Sequence, residues 1–544
     1  MTYRTSTLLL GILTAVAWGV VLLVPGALYW DDWVSVGGDP VSLYSDLGLP
    51  WVGYLYSAFA FVGPVAFKVV GVVCAVVVAV AARAIAERGL GLSPVQTWVA
   101  AALVALLPFN LARTALAAVT TYSISLAVFF VAWWLLVTAG RRRILTIIAA
   151  VLLLLAFTTG SLLPFVAVPV AHLALLEVDR SRGFWRGVLA FVARYWYVLV
   201  TPAVFWVVKT VFLTPRGVYT DYNSFVGWSV SPTTIGIALM LVALVAGAVL
   251  LLLRIVRPEP SRTDATVTAL LGGLGTIAIA VVLWVGRGST TPSAVVVVAL
   301  LAVAGAVLVV VTLAGLRGSA ATSQSRAGFL AAAGLVVFAL GALPYLLVGK
   351  IPDFTDWETR HQLLLPVGTA LLILAAMVAL GDAGRTALAR VGGAIAVGLS
   401  AAAVLAAGLT FIADWNKQVQ VIDGIAALDE VRDASTVVVT DEAREWSFGA
   451  RQLRFYEPIG WFHAAYGDRT RFAIDSSELA TAEAGGFDGL YDEGDRYGFP
   501  DWDRDGGTVG LTISALDGAT WWDLLLGRPA IRVAATPTSF EVGR

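Results

Sequence analysis

Uncharged apolar runs recur along the chain, separated by short polar segments. The first of them, Thr7 to Tyr29, is long enough to cross a bilayer core about 30 Å thick. It is also about twice the length of a signal-peptide core, so it reads as an uncleaved first helix. Similar runs follow at 62–82, 95–110, 117–138, 144–158, 161–178, 188–212, 234–253, 265–285, 294–315, 328–348, 363–380 and 391–413, which predicts about thirteen transmembrane helices. The pattern changes at Asp414. Beyond it come a helix-like stretch from Val419 to Val431, a β-branched strand from Ser435 to Thr440 and turn-rich acidic segments. The expected architecture is therefore a polytopic α-helical domain over 1–413, with outer loops at 30–61, 214–233 and 349–362, followed by an acidic α/β domain over 414–544.

Composition sharpens this division. The chain is 59% hydrophobic and 13% charged, where soluble domains carry about 25% charge, which excludes an ordinary soluble enzyme. Up to Ala413 there are 24 Lys and Arg against 14 Asp and Glu, and beyond it 12 against 23, so a net +10 is joined to a net −11. Basic residues flanking short loops stay cytoplasmic. With the amino terminus inside, alternate loops carry Arg83 and Arg88, Arg141 to Arg143, Arg180, Arg182 and Arg186, Arg254, Arg257 and Arg262, Arg317 and Arg326, and Arg385 and Arg390. An odd number of spans then places the tail outside a plasma membrane. The single cysteine, Cys74, forbids an intrachain disulfide, and no three-histidine or histidine–carboxylate pattern marks a metal site.

Charges beside a bilayer that are not cytoplasmic anchors are functional candidates. The first outer loop opens with Tyr29-Trp30-Asp31-Asp32-Trp33 directly after the first helix. Mutual repulsion in an adjacent acid pair can raise one pKa and leave a general base. The plainer alternative is two solvated acids in an aromatic belt. After them, Leu47 to Ala60 reads as an interfacial amphipathic helix, leading through Gly63-Pro64 into a span that ends in Ala82-Arg83-Ala84-Ile85-Ala86-Glu87-Arg88-Gly89-Leu90-Gly91.

This order of elements resembles the GT-C superfamily of membrane glycosyltransferases, most closely over residues 7–91. The resemblance implies a polyprenyl-phosphate-sugar donor, a glycan, lipid or protein acceptor, and an outer-face reaction that inverts the sugar carbon. It also implies that Asp32 or Asp31 is the base, with Asp32 preferred. A lipid phosphate requires cations at the outer surface, because its charge must be neutralised where water is partly excluded. Lys350 and the Arg360-His361 pair precede the run from Leu363, and by resemblance Arg360 and His361 contact that phosphate. Arg216 is a further candidate for it. Trp33, Tyr219, Asp221, Tyr222 and Arg113 are candidates for substrate contacts, although Arg360 could equally pair with Asp356 or Glu358 as an anchor. A divalent cation could bridge the acid pair and the phosphate, but nothing in the sequence demands one. No nucleic-acid partner is expected.

Three remaining features read as structural. His172 suits helix packing. The Asp501-Trp502-Asp503-Arg504-Asp505-Gly506-Gly507 stretch lacks a calcium loop's closing glutamate and reads as a solvated turn. Trp521-Trp522-Asp523 matches three residues of the WWDYG signature of oligosaccharyltransferases, then departs into Leu524-Leu525-Leu526, and reads as an aromatic packing cluster. The rival classes are a transporter or lipid flippase, which would place ionisable groups near the bilayer midplane, and a noncatalytic envelope-assembly protein.

Overall fold

The computed structural model describes residues 2–35, 39–140, 142–178, 184–220, 262–286, 292–315, 324–350, 354, 357–467, 471–477, 479 and 507–537, with seven single positions between 237 and 248. Asp221, Tyr222, Asp356, the acidic turn 501–506 and most of the expected span 234–253 lie outside these residues, as does the Glu358 side chain.

Seven helices among the described residues are long and apolar enough to cross a membrane: Tyr3–Leu23, Pro64–Ala86, Ala117–Thr138, Trp185–Phe212, Arg326–Leu346, Leu365–Asp382 and Thr386–Ala426. Shorter apolar helices, such as Pro94–Leu106 and Arg143–Ala156, occupy further runs of the sequence. Local chemistry sets several starts. The Thr2 hydroxyl accepts the Thr5 N–H at 3.3 Å, and Ser93 with Gln96 forms a capping box ahead of Pro94. Small residues let the helices approach closely: a Cβ on Gly368 would stand 2.5 Å from the Phe338 backbone nitrogen, so Leu365–Asp382 and Arg326–Leu346 meet almost backbone to backbone there.

The expected loop 30–61 is largely helical. It contains Asp32–Ser35, Pro40–Asp46 and Pro50–Ala60. The last of these buries Val52, Gly53 and Tyr56 and exposes Trp51 and Tyr54, three apart on one face.

The composition break at Ala413 falls inside one uninterrupted helix, Thr386–Ala426. Its C-terminal part packs on a four-stranded sheet made of β1 (Thr436–Asp441), β2 (Phe472–Asp475), β3 (Thr508–Ala515) and β4 (Ile531–Pro537), in the order β2-β1-β3-β4. β1 runs parallel to both neighbours, and β4 is antiparallel to β3. The helix Tyr456–Tyr466 lies between β1 and β2 in sequence, supplying the crossover that parallel neighbours require. Val437, Val439, Leu511 and Ile513 are buried in the sheet, and Gly424 of the long helix leaves room for Val533 of β4.

Candidate active site

Where the first helix ends, the Lys68 ammonium donates to the carbonyls of Val24 at 2.8 Å and Ala27 at 2.9 Å. This basic residue therefore holds the chain that leads to the acid pair instead of reaching for headgroups. Trp30 follows in a left-handed conformation, φ +46°, which is strained for a bulky side chain. The tail holds it there. Its N–H donates to Glu457 Oε1 at 3.1 Å, and the Arg451 guanidinium lies 4.3 Å from the indole. Arg451 also pairs with Asp414 on the long helix and, at 2.7 Å, with Glu457. Trp33 completes the junction, because its Nε1 and that of Trp461 both donate to Gln418 Oε1, at 3.1 and 3.0 Å. Gly460 admits the Trp33 ring, which would lie 2.5 Å from a Cβ at that position. Trp33 is thus a buried structural contact.

The two acids have different surroundings. Asp32 is 1% exposed, and its carboxylate accepts the N–H groups of Ala118 at 2.8 Å and Tyr29 at 3.3 Å. Burial raises its pKa to about 7, while those amides and the Lys68 charge oppose the rise. The Asp31 side chain is 21% exposed, and its Oδ2 lies 3.9 Å from Arg360 Nη1. That distance is an ion pair without a hydrogen bond, since an N–H···O bond closes at about 2.7–3.2 Å.

Arg360 belongs to the 3-10 segment Trp357–Gln362, tied to the turn Leu111–Thr114 by the Ala112 N–H, which donates to Thr359 Oγ1 at 3.4 Å. Its guanidinium faces the Tyr122 ring at 5.9 Å, and its Nε donates to His361 Nε2 at 3.2 Å. Burial, then the Arg360 and Lys350 charges, push the His361 pKa down to about 2, so its imidazole is neutral at physiological pH. With Nε2 accepting, the proton belongs on Nδ1, a buried atom with no hydrogen-bond partner among the described residues. His361 can donate one hydrogen bond there but cannot carry a positive charge.

Tyrosines that sequence reasoning missed border the acid pair. Tyr44 and Tyr56 pack with ring centroids 4.9 Å apart, and the Tyr56 hydroxyl donates to the Ala117 carbonyl at 2.6 Å. The Tyr44 hydroxyl is pushed well above its ordinary pKa by burial, then by Tyr56, Tyr122 and the Asp31 charge. Tyr345 packs on His361 with centroids 5.2 Å apart. The only sequence signal was that Tyr44 and Tyr56 lie in the same outer loop as the acids.

The other candidates are dispersed. Arg113 is 5% exposed and lies 4.2 Å from the Trp18 ring, inside the bundle, where burial lowers its pKa to about 10. Arg216 is exposed, and its backbone N–H donates to the Asp46 carbonyl at 2.8 Å, which joins the segment 214–220 to the segment that follows the acid pair. Tyr219 is buried, and Lys350 is half-buried near His361. His172 fills the packing role expected of it, accepting from Trp133 Nε1 at 3.2 Å and donating to the Arg88 carbonyl at 2.8 Å.

Among the described residues no group of three or more His, Cys, Asp or Glu side chains could hold a metal ion. Asp31 and Asp32 have separate partners, so as placed they do not fit a cation bridging the pair. An apolar cavity of about 460 Å³ lies within the bundle, with Leu92, Phe130, Leu340 and Val367 among its walls. No protein-family profile, curated protein or solved structure matches the chain.

Proposed function

We propose that the protein is a GT-C-like membrane glycosyltransferase that moves a sugar from a polyprenyl-phosphate donor to a cell-envelope glycan, lipid or protein acceptor, with inversion at the sugar carbon. The reading includes about thirteen spans in a plasma membrane, a cytoplasmic amino terminus and an extracytoplasmic tail. The observation that carries it is the placement of Asp31 opposite Arg360. A carboxylate from the first outer loop and a guanidinium from a late one meet at 3.9 Å, in aromatic surroundings at the outer end of the bundle.

Asp31 is the better base of the two. Its side chain reaches the surface, whereas Asp32 is sealed and committed to backbone amides. In the proposed step Asp31 takes the acceptor hydroxyl proton as that oxygen bonds to the anomeric carbon. The bond from that carbon to the phosphate oxygen breaks, and its electron pair leaves on the polyprenyl phosphate. Arg360 stabilises the departing charge with parallel N–H donors, and the His361 Nδ1–H can add another.

The test measures binding of a nonhydrolysable polyprenyl-phosphate-sugar analogue to purified variants. Arg360→Ala should weaken donor binding, while Asp31→Asn should bind the donor and fail to turn over. Equal donor affinity in wild type and Arg360→Ala would remove the phosphate assignment.

A further inference from the structure

The Trp521–Leu525 helix is a short element on the tail, and its sequence reads as an aromatic packing cluster. Its residues divide differently. Leu524 is fully buried, packed with Ala413 and Ala530, whereas Trp522 is 62% and Leu526 61% exposed. Residues four apart share a helix face, so Trp522 and Leu526 present one apolar face away from the protein. The element is held rigidly. Asp523 Oδ2 accepts both the Thr520 N–H at 2.9 Å and its hydroxyl at 2.7 Å, and Asn416 Nδ2 donates to the Leu524 carbonyl at 2.7 Å.

The place of attachment gives this face its meaning. Ala413 ends the apolar stretch of the Thr386–Ala426 helix, and Asn416 is the first half-buried polar residue beyond it. The helix is thus fixed at the depth where that span leaves the bilayer. Tryptophan with an aliphatic partner suits this depth, because the indole is amphipathic and the headgroup boundary is half wet. Charge follows the same polarity. The far end of the long helix exposes Asp423, about 15 Å beyond Ala413 at about 1.5 Å per residue, and the turn after it exposes Asp429, Glu430 and Asp433.

We propose that Trp522 and Leu526 form a foot that inserts into the outer surface of the bilayer and fixes the height of the tail domain above it. The inference rests on reading the bundle as membrane-spanning. It is tested with full-length protein in phospholipid nanodiscs, carrying single cysteines in a Cys74→Ala background at Trp522, Leu526, Leu399 on the apolar stretch of the long helix, and Glu430. Each is labelled with an environment-sensitive fluorophore. A nitroxide on the phospholipid should quench the labels at 522, 526 and 399, while aqueous iodide should reach only 430. Full iodide quenching at 522 and 526, with 399 still lipid-quenched, would overturn the foot alone. Protection from both quenchers at 522 and 526 would mean protein covers the face and would overturn it equally. Loss of lipid quenching at 399 would overturn the membrane reading, and the foot with it.

Discussion

The backbone N–H of Trp30 donates to Oε1 of Glu457 at 3.1 Å across 427 residues of sequence. The bond fixes a left-handed residue immediately before the acid pair, so the tail domain sets the direction in which the chain enters Asp31. Removing one partner of a buried ion network leaves the other charge uncompensated, at a cost of about 3–5 kcal/mol. Glu457→Ala should therefore lower the melting temperature of purified protein and reduce turnover more than donor affinity. Glu457→Gln keeps an acceptor for the Trp30 N–H and should recover part of the turnover. Loss of donor affinity without loss of turnover would contradict this positioning role.

Substitution should separate the two acids. Asp31→Asn is expected to reduce transfer by roughly two to four orders of magnitude, the range for loss of a general base, with the melting temperature unchanged. Asp32→Asn places an amide NH2 among N–H donors and should destabilise the protein measurably. Wild-type turnover in Asp31→Asn would end its assignment as the base.

Asp32 also predicts a pH dependence. Burial raises its carboxyl from 3.8 to about 7, so between those values the folded chain holds a proton that the unfolded chain has released. Its contribution to stability is fully present below the lower value and is lost as pH rises through the higher one. Melting temperatures recorded from about pH 4 to pH 8 should fall more steeply for wild type than for Asp32→Asn, which cannot ionise. Parallel curves would show that Asp32 does not titrate in this range.

Arg360→Lys tests the form of the cation. A point charge neutralises phosphate but lacks the planar pair of donors, so donor affinity should lie between those of wild type and Arg360→Ala. Complete recovery would show that charge alone suffices there.

Topology is tested with a single cysteine at Glu430 in a Cys74→Ala background. It should react with an impermeant thiol reagent on intact cells. Reaction only after permeabilisation would invert the orientation and remove the outer-face reading.

The apolar runs were legible because bilayer-spanning helices require length and continuity, and seven of them appear as long apolar helices. Local composition also marked Asp31, Asp32 and Arg360 as unusual. Composition could not show that Asp32 is sealed by the Ala118 amide, that Arg113 turns onto Trp18, or that Trp33 packs against Gly460. Each of those facts depends on pairing between distant segments. The Arg451, Asp414 and Glu457 network was hidden for the same reason, its members reading as ordinary charges of an acidic tail. The break at Ala413 is a change of composition, and helix propensity crosses it without a turn residue.

That uninterrupted helix has a mechanical consequence. Forty-one residues make a rod about 60 Å long at about 1.5 Å per residue. A tilt of about 5° about its N-terminal end carries the far tip sideways by about 5 Å. The sheet domain is therefore the load on a lever pivoting at the helix's N-terminal end. A change in lipid thickness that reorients the rod would be felt at Trp30 without any ligand touching the tail.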